Sequence, residues 1–245
     1  GKVVVWYVDY TNTYRPTGVV GTVSGTSISF GTASVASTDQ ASGGLQIVYA
    51  STNQKVVCTY RETATGNDVV YAVVGTVSGT SISFGSKVDS KARMSSTVPH
   101  LSDMAYDATS GSVVFVYKDG AVDNYGSCQV GSISGTSTSW GARSIFKSNT
   151  VNYPAVAYSP DAGKVAIAYD DNNVSVSARV GTTSGTTISY GVEVTVATAS
   201  GSFVKMAYDT TNDKFVLGYR ANTSNGYGVV GTLSGTSTTW GTPVI

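Results

Sequence analysis

Gly21-Thr22-Val23-Ser24-Gly25-Thr26-Ser27-Ile28-Ser29-Phe30-Gly31 is the phrase on which the fold turns. It returns at Gly75–Gly85 and, with drift, at Gly131–Gly141, Gly181–Gly191 and Gly231–Gly241. The first glycines are spaced 54, 56, 50 and 50 residues apart. A repeat of about 50 residues is a propeller-type period, with four strands to a blade. A two-residue loop with glycine first makes a type II′ turn, whose twist matches the strands it joins. Placing Gly25-Thr26 in that loop pairs Ser24 with Ser27, Val23 with Ile28, Thr22 with Ser29 and Gly21 with Phe30. A slip of one residue would exchange the two faces. The same register sets Gly75 opposite Phe84, Gly131 opposite Trp140, Gly181 opposite Tyr190 and Gly231 opposite Trp240. These residues are expected to be structural, each ring lying across a bare backbone position.

Two more phrases repeat around the first. Short β-rich runs ending in tyrosine stand at Lys2–Tyr7, Lys55–Tyr60, Ser112–Tyr117, Lys164–Tyr169 and Lys214–Tyr219. A third type occurs four times, at Leu45–Tyr49, Leu101–Tyr106, Tyr153–Tyr158 and Phe203–Tyr208. We label the third type strand A, the tyrosine-ended run strand B, and the two arms of the glycine phrase strands C and D. Strand B is apolar on both sides, as in Val113-Val114-Phe115-Val116, which suits a strand covered on both faces. No segment places apolar residues at helical spacing over three turns. The expected architecture is all-β: one domain, residues 1–245, folded as a five-bladed β-propeller of four-stranded antiparallel blades, the first one strand short. Either the sequence is truncated or the first blade has three strands, or the gap is filled by a neighbouring chain or by N-terminal residues. Oligomerisation through the incomplete blade stays open.

Composition narrows the function. The 245 residues carry 15 basic and 15 acidic side chains, so bulk electrostatics hold no nucleic acid or anionic membrane. No apolar run reaches the ~20 residues needed to span a bilayer. The first residues do not read as a basic leader with an apolar core and cleavage site, so no address is expected in the chain as given. Two cysteines, Cys58 and Cys128, lie at non-equivalent positions and read as buried free thiols. A single histidine, His100, rules out a multi-histidine metal site and reads as a loop residue. Asp170-Asp171-Asn172-Asn173 is oxygen-rich but lacks the length and terminal glutamate of an EF-hand loop, and reads as a polar turn. No cofactor or metal is expected. The nucleophile-elbow, P-loop and metalloprotease motifs are absent.

Comparison among the repeats locates the candidate site. The A–B and C–D turns are nearly uniform, whereas the B–C and D–A connections differ. In a four-stranded meander these two sets lie on opposite faces, and divergent loops on a rigid scaffold are where binding resides. The starts of the B–C loops read Tyr7-Val8-Asp9, Tyr60-Arg61-Glu62, Tyr117-Lys118-Asp119, Tyr169-Asp170-Asp171 and Tyr219-Arg220-Ala221. A ring beside an acid and a base stacks on a sugar and exchanges hydrogen bonds with its hydroxyls. Two readings stand side by side: ligand contact by these residues, or ion pairs from Arg61, Lys118 and Arg220 to acids of the next blade.

The hairpin Ser134-Gly135-Thr136-Ser137-Thr138-Ser139-Trp140-Gly141 resembles the Asp-box hairpins of sialidase-like propellers, though the box aspartate is missing from all five copies and no sialidase active-site set can be matched. The whole repeat is similar to propeller repeats of phage and marine environmental sequences, some in tail or fibre proteins. The resemblance implies glycan or host-surface recognition on a virion or outside the cell, or plain virion architecture. Three functions follow in order: a non-catalytic carbohydrate-recognition module, a structural or recombined scaffold, and a glycoside hydrolase using two carboxylates from different blades.

Overall fold

The computed structural model describes residues 1–62, 68–95, 101–221 and 225–245. The chain forms five successive antiparallel meanders. Unit one holds β1 (Lys2–Asp9), a 3-10 turn at Tyr10–Asn12, β2 (Arg15–Ser24), β3 (Ser27–Phe30) and β4 (Ser34–Val35). Unit two holds β5 (Ala41–Ala50), β6 (Lys55–Glu62), β7 (Val69–Ser78), β8 (Ser81–Phe84) and β9 (Val88–Arg93). Unit three holds β10 (Ser102–Asp107), β11 (Ser112–Asp119), β12 (Tyr125–Ser134) and β13 (Ser137–Trp140), and β14 (Ser144–Ser159) runs on from it into unit four. Unit four adds β15 (Lys164–Asp171), β16 (Ser175–Ser184), β17 (Thr187–Tyr190) and β18 (Val194–Ala197). Unit five holds β19 (Gly201–Asp209), β20 (Lys214–Ala221), β21 (Gly226–Ser234) and β22 (Ser237–Trp240). The order A-B-C-D holds in units two to five, and unit one begins at B.

The C–D hairpins fold in the register that the glycine phrase predicts, in all five copies. Gly25, Gly79, Gly135, Gly185 and Gly235 have φ between 57° and 60°, while the threonine after each stays out of the positive-φ region. That combination is the type II′ turn. One feature was not foreseen: after D the chain pairs with C a second time. β4 returns to β2, β9 to β7, the first half of β14 to β12, β18 to β16, and Val244 to Gly228. Strand C has nine or ten residues and D only four, so half of its edge is left for the returning segment.

The closing glycine of each phrase sets the packing between units. A Cβ on Gly31 would collide with the carbonyl oxygen of Thr80, the turn threonine of the next unit. Gly85 meets Thr136 in the same way, Gly141 meets Thr186, and Gly191 meets Thr236. Only a residue without a side chain admits so close a backbone.

The first glycine is covered by one of two devices. Gly131 and Gly231 lie under Trp140 and Trp240, as expected, and each indole N–H donates to Thr138 or Thr238 Oγ1 at 2.9 Å. Gly75 is covered by Ile82 and Phe84 together. At Gly21 and Gly181 the expected ring is absent, and Ile28 and Ile188 cover the glycine instead. A branched isoleucine reaches the glycine itself and frees the ring. Where isoleucine replaces the threonine, the aromatic turns to the preceding unit. Phe84 packs on Trp6 at 5.5 Å and over Gly18, and Tyr190 lies 6.4 Å from Phe146.

The two end units show what a missing neighbour leaves. Val56, Cys58, Val73 and Ile82 are buried against unit one, whereas their equivalents Val3, Val5 and Ile28 are exposed, and Phe30 is 54% exposed. On unit five Val216 and Val230 are exposed, and Gly228 faces open space. No extensive packing joins unit five to unit one among the described residues. Phe30 does not fill the structural role expected of it, because Ile28 covers Gly21 in its place. Cys58 and Cys128 are free and buried, and burial pushes the Cys128 thiol up to about 12.

These contrasts give a direct expectation. Trp140→Ala and Phe84→Ala should each destabilise by about 3–5 kcal/mol, whereas Phe30→Ala should cost under about 1 kcal/mol. Urea midpoints at constant slope measure the difference.

Candidate functional site

Strand B carries its tyrosine towards the preceding unit, so the ring enters the core. Tyr60, Tyr117 and Tyr169 are wholly buried and Tyr219 nearly so, whereas Tyr7 is half-buried. Tyr60 lies between Trp6 at 6.5 Å and Tyr71 at 6.0 Å, and Phe146 packs on Tyr169 at 5.2 Å. Burial pushes the Tyr60 hydroxyl up to about 12 and raises those of Tyr117 and Tyr169 as well. A ring covered on both faces has none left for a sugar. The stacking expected of these rings is not available to them in this packing.

The acids two residues on are also engaged. Asp9 Oδ1 accepts from the amides of Thr11 and Asn12 and caps the 3-10 turn. Glu62 accepts from Lys87 at 3.1 Å, and Lys87 also meets Asp39 at 2.5 Å and lies 4.2 Å above the Tyr71 ring. Asp119, fully buried, accepts from the Ala121 amide at 3.0 Å and from Arg143 at 3.4 Å. Asp171 and Glu193 share Lys147, at 2.7 and 2.8 Å. These ion pairs close the space around the strand B tyrosine in units two, three and four.

The residues between tyrosine and acid follow a different rule. Arg61 donates to Ser42 Oγ at 2.9 Å, to Asp68 at 3.2 Å and to the Ser95 carbonyl at 3.4 Å. Lys118 donates to Asn152 Oδ1 at 2.9 Å, and the same Asn152 donates to Asp170. Asp170 also accepts from the amides of Asn173 and Gly201, each at 2.8 Å, which makes its oxygen-rich run a closed turn. Arg220 is exposed and lies 5.0 Å over Phe203, itself 51% exposed and 5.2 Å from Tyr153. Among the described residues the expected ion pairs from Arg61, Lys118 and Arg220 to acids of the next unit do not form: Arg61 pairs with Asp68 of its own unit, Lys118 with the neutral Asn152 oxygen, and Arg220 with a ring face. Tyr153 and Phe203 have φ of 50° and 55° at register shifts of the inner strand. Bulky residues in that region are outliers, and bulges of this kind re-aim side chains.

Unit five breaks the pattern. Ala221 stands where the acid stands elsewhere, and Pro243 where Lys87 and Arg143 stand. Both charges of the closing pair are gone together, and the space remains as a cavity of about 500 Å³. Tyr219 and Tyr227 line it as a stacked cross-strand pair at 5.6 Å, with Ala221, Pro243, Thr195 and Thr198 around them. No charged side chain lines it. Sequence reasoning noted the missing acid but not Pro243, Tyr227 or the partners Lys87, Lys147 and Glu193. The residue two places beyond each closing glycine (Ala33, Lys87, Arg143, Glu193, Pro243) held the signal.

His100 lies outside the described residues, as does part of its loop. Among the described residues no three metal-ligating side chains gather, and no helix is long and apolar enough to cross a membrane. Two exposed carboxyls, Asp161 and Asp213, stand within hydrogen-bond reach, so the Asp161 carboxyl raises that of Asp213.

No family model matches the chain, and no curated protein matches it in sequence. Solved structures do match in shape. Aleuria aurantia lectin, a fungal lectin described as a six-bladed β-propeller with a fucose recognition mode, aligns at TM-score 0.60 and 11% identity, over 99% of this chain and 74% of that one. AofleA from Arthrobotrys oligospora aligns at 0.55 and 9%, over 99% and 70%. An exo-β-1,3-galactanase from Phanerochaete chrysosporium aligns at 0.51 and 7%, over 89% of this chain and 53% of that one. The chain has the β-propeller fold.

The ion pairs set an acid and an alkaline limit. Burial pushes the Glu193 carboxyl up, but hydrogen bonds from Lys147 and Tyr169 outweigh it and hold it below its ordinary 4.5. Burial likewise pushes Lys147 down, and its two acids outweigh that and hold it above 10.5. A lowered carboxyl stabilises the fold above its unfolded value and ceases to do so as pH falls through the folded one. A raised lysine stabilises below its unfolded value and is lost as pH climbs through the folded one. Thermal melting should fall below about pH 4.5 and again above about pH 10.5, and Lys147→Met should flatten both limbs.

Proposed function

We propose that this chain is a non-catalytic carbohydrate-binding module whose site is the uncharged cavity of unit five. In this reading the five meanders are five blades of one domain, the first without its inner strand. The observation that carries the proposal is the paired loss of acid and base at Ala221 and Pro243. In unit two Lys87 sits over the Tyr60–Tyr71 pair, whereas in unit five Pro243 has its position beside the Tyr219–Tyr227 pair. A cavity of this volume lined by aromatic and apolar groups with a few hydroxyls has the character of a small-ligand site. Tyr227, half-buried, offers a ring face to the apolar face of a sugar, and Thr195 and Thr198 offer hydroxyls to its edge. The lectins with which the chain shares its fold give the proposal its ligand class. Arg220, with Phe203 and Tyr153, is a second contact area on the loop face, and Tyr7, Asp9, Arg61 and Asp171 are the other predicted residues with partial access. A setting in a tail-like or host-facing protein rests on the resemblance of the whole repeat alone.

Restoring the sibling chemistry tests the site. Ala221→Glu with Pro243→Lys should fill the cavity, keep the fold, and weaken binding of a neutral glycan at least tenfold, about 1.4 kcal/mol. Tyr227→Ala should weaken it similarly, and Asp9→Asn should leave it unchanged. A glycan array with no binder, or a double variant that binds as well as the parent, overturns the proposal and favours a scaffold.

A further inference from the structure

The B–C turns of units one, three and four share one backbone device. Each sets two successive residues at positive φ: Thr13 and Tyr14 at 53° and 60°, Asp123 and Asn124 at 43° and 62°, Asn172 and Asn173 at 51° and 61°. Units one and three match further. Five residues separate strand B from strand C in both. Asp9 Oδ1 accepts from the Thr11 amide as Asp119 Oδ1 accepts from the Ala121 amide, each at 3.0 Å. Aspartate and asparagine enter the left-handed region readily, because their short polar side chains bond locally, whereas a β-branched or bulky residue there is an outlier. Units three and four use the tolerant residues. Unit one uses threonine and tyrosine.

Packing gives no reason for that choice. Tyr14 is 49% exposed and Tyr10 is 74% exposed. Their ring centroids lie 5.1 Å apart at 73°, so the two rings brace each other edge to face and present a corner to solvent. Tyr10 stands where unit three has Gly120, on which a Cβ would meet the Ser95 backbone at 2.8 Å. A tyrosine cannot be covered in that way, so the residue itself keeps the place open. The Tyr14 carbonyl accepts from the Ala41 amide at 2.9 Å, which ties the turn to β5 of unit two. Backbone strain held under an exposed aromatic pair, where sibling turns avoid it, points to function. We propose that Tyr10 and Tyr14 form a stacking platform for a neutral pyranose, separate from the cavity of unit five.

The surroundings set the ligand class. Residues 10–14 carry no charge, and Asp9 and Arg15 stand opposite each other across the strands. A phosphate or carboxylate would meet Asp9 as well as Arg15. The phenol hydroxyls, the Asn12 amide and the Thr13 hydroxyl offer hydrogen bonds to hydroxyls, and the ring faces offer a surface to C–H groups. A pyranose of galacto configuration has both, since its C3, C4 and C5 hydrogens share one face. The platform covers one side of such a ring, so its affinity is millimolar and weaker than that of an enclosing cavity.

The probes are methyl β-D-galactoside and methyl α-L-fucoside, titrated separately into the isotope-labelled whole chain and followed by NMR. Saturable shifts at the amides of Thr11, Asn12, Thr13 and Tyr14 are expected with at least one of them. Tyr10→Ala should weaken that binding about tenfold or more. Thr13→Asp with Tyr14→Asn copies the turn of unit three, and should weaken it as much while raising the urea midpoint, because the strain is relieved. Ala221→Glu with Pro243→Lys should leave the shifts at residues 11–14 as they are, so this site and the unit five cavity fail separately. No saturation with either sugar overturns the proposal. So does binding that survives the turn variants, or a copied turn less stable than the parent, which would make the two tyrosines structural. Saturable shifts at the same amides with acetyl-prolinamide and with neither sugar would overturn it in favour of a peptide.

Discussion

The contact on which the molecule depends is a turn pressed onto a glycine. Each C–D turn threonine of one unit sets its carbonyl against the closing glycine of the unit before, at a distance that no Cβ permits. The glycine N–H at the same time donates to strand C, as Gly31 does to the Val20 carbonyl at 2.9 Å. One residue thus ends a hairpin, returns the chain to its own sheet and seats the next unit. The regular stacking of units follows from repeating it, in the manner of repeat proteins whose stability is a sum over neighbours.

Within that frame each junction is filled with different chemistry. Threonine and tryptophan cover the first glycine in units three and five, and isoleucine covers it in units one and four. Near the loop face the filling is ionic in units two to four and absent in unit five. Buried charges are tolerated there because each has a partner, and removing one alone would strand the other. Removing both leaves a neutral space, and the aromatic pair beneath it is conserved in geometry between Tyr60–Tyr71 and Tyr219–Tyr227. The scaffold can therefore lose a closing pair without losing its walls, and in the proposed reading that turns a structural junction into a binding site.

The ends of the molecule follow the same logic in reverse. Phe30 and Tyr49 are exposed, whereas their equivalents Trp140 and Tyr106 are buried.

The hairpin register, the strand order and the number of repeats were legible in the sequence, because turn glycines and period-two alternation are local constraints that act within a dozen residues. The alternation of uniform and divergent loops was legible for the same reason. The fate of the strand B tyrosines was not. Whether Tyr60 or Tyr169 faces a ligand or a neighbour depends on what the adjacent unit places against it, some 50 residues away. The same holds for Lys147, which closes a junction with Asp171 and Glu193 although no local pattern links the three. Only the packing of one sheet on the next decided which rings are core, which charges are paired and which junction is empty, because burial and pairing are properties of neighbours in space.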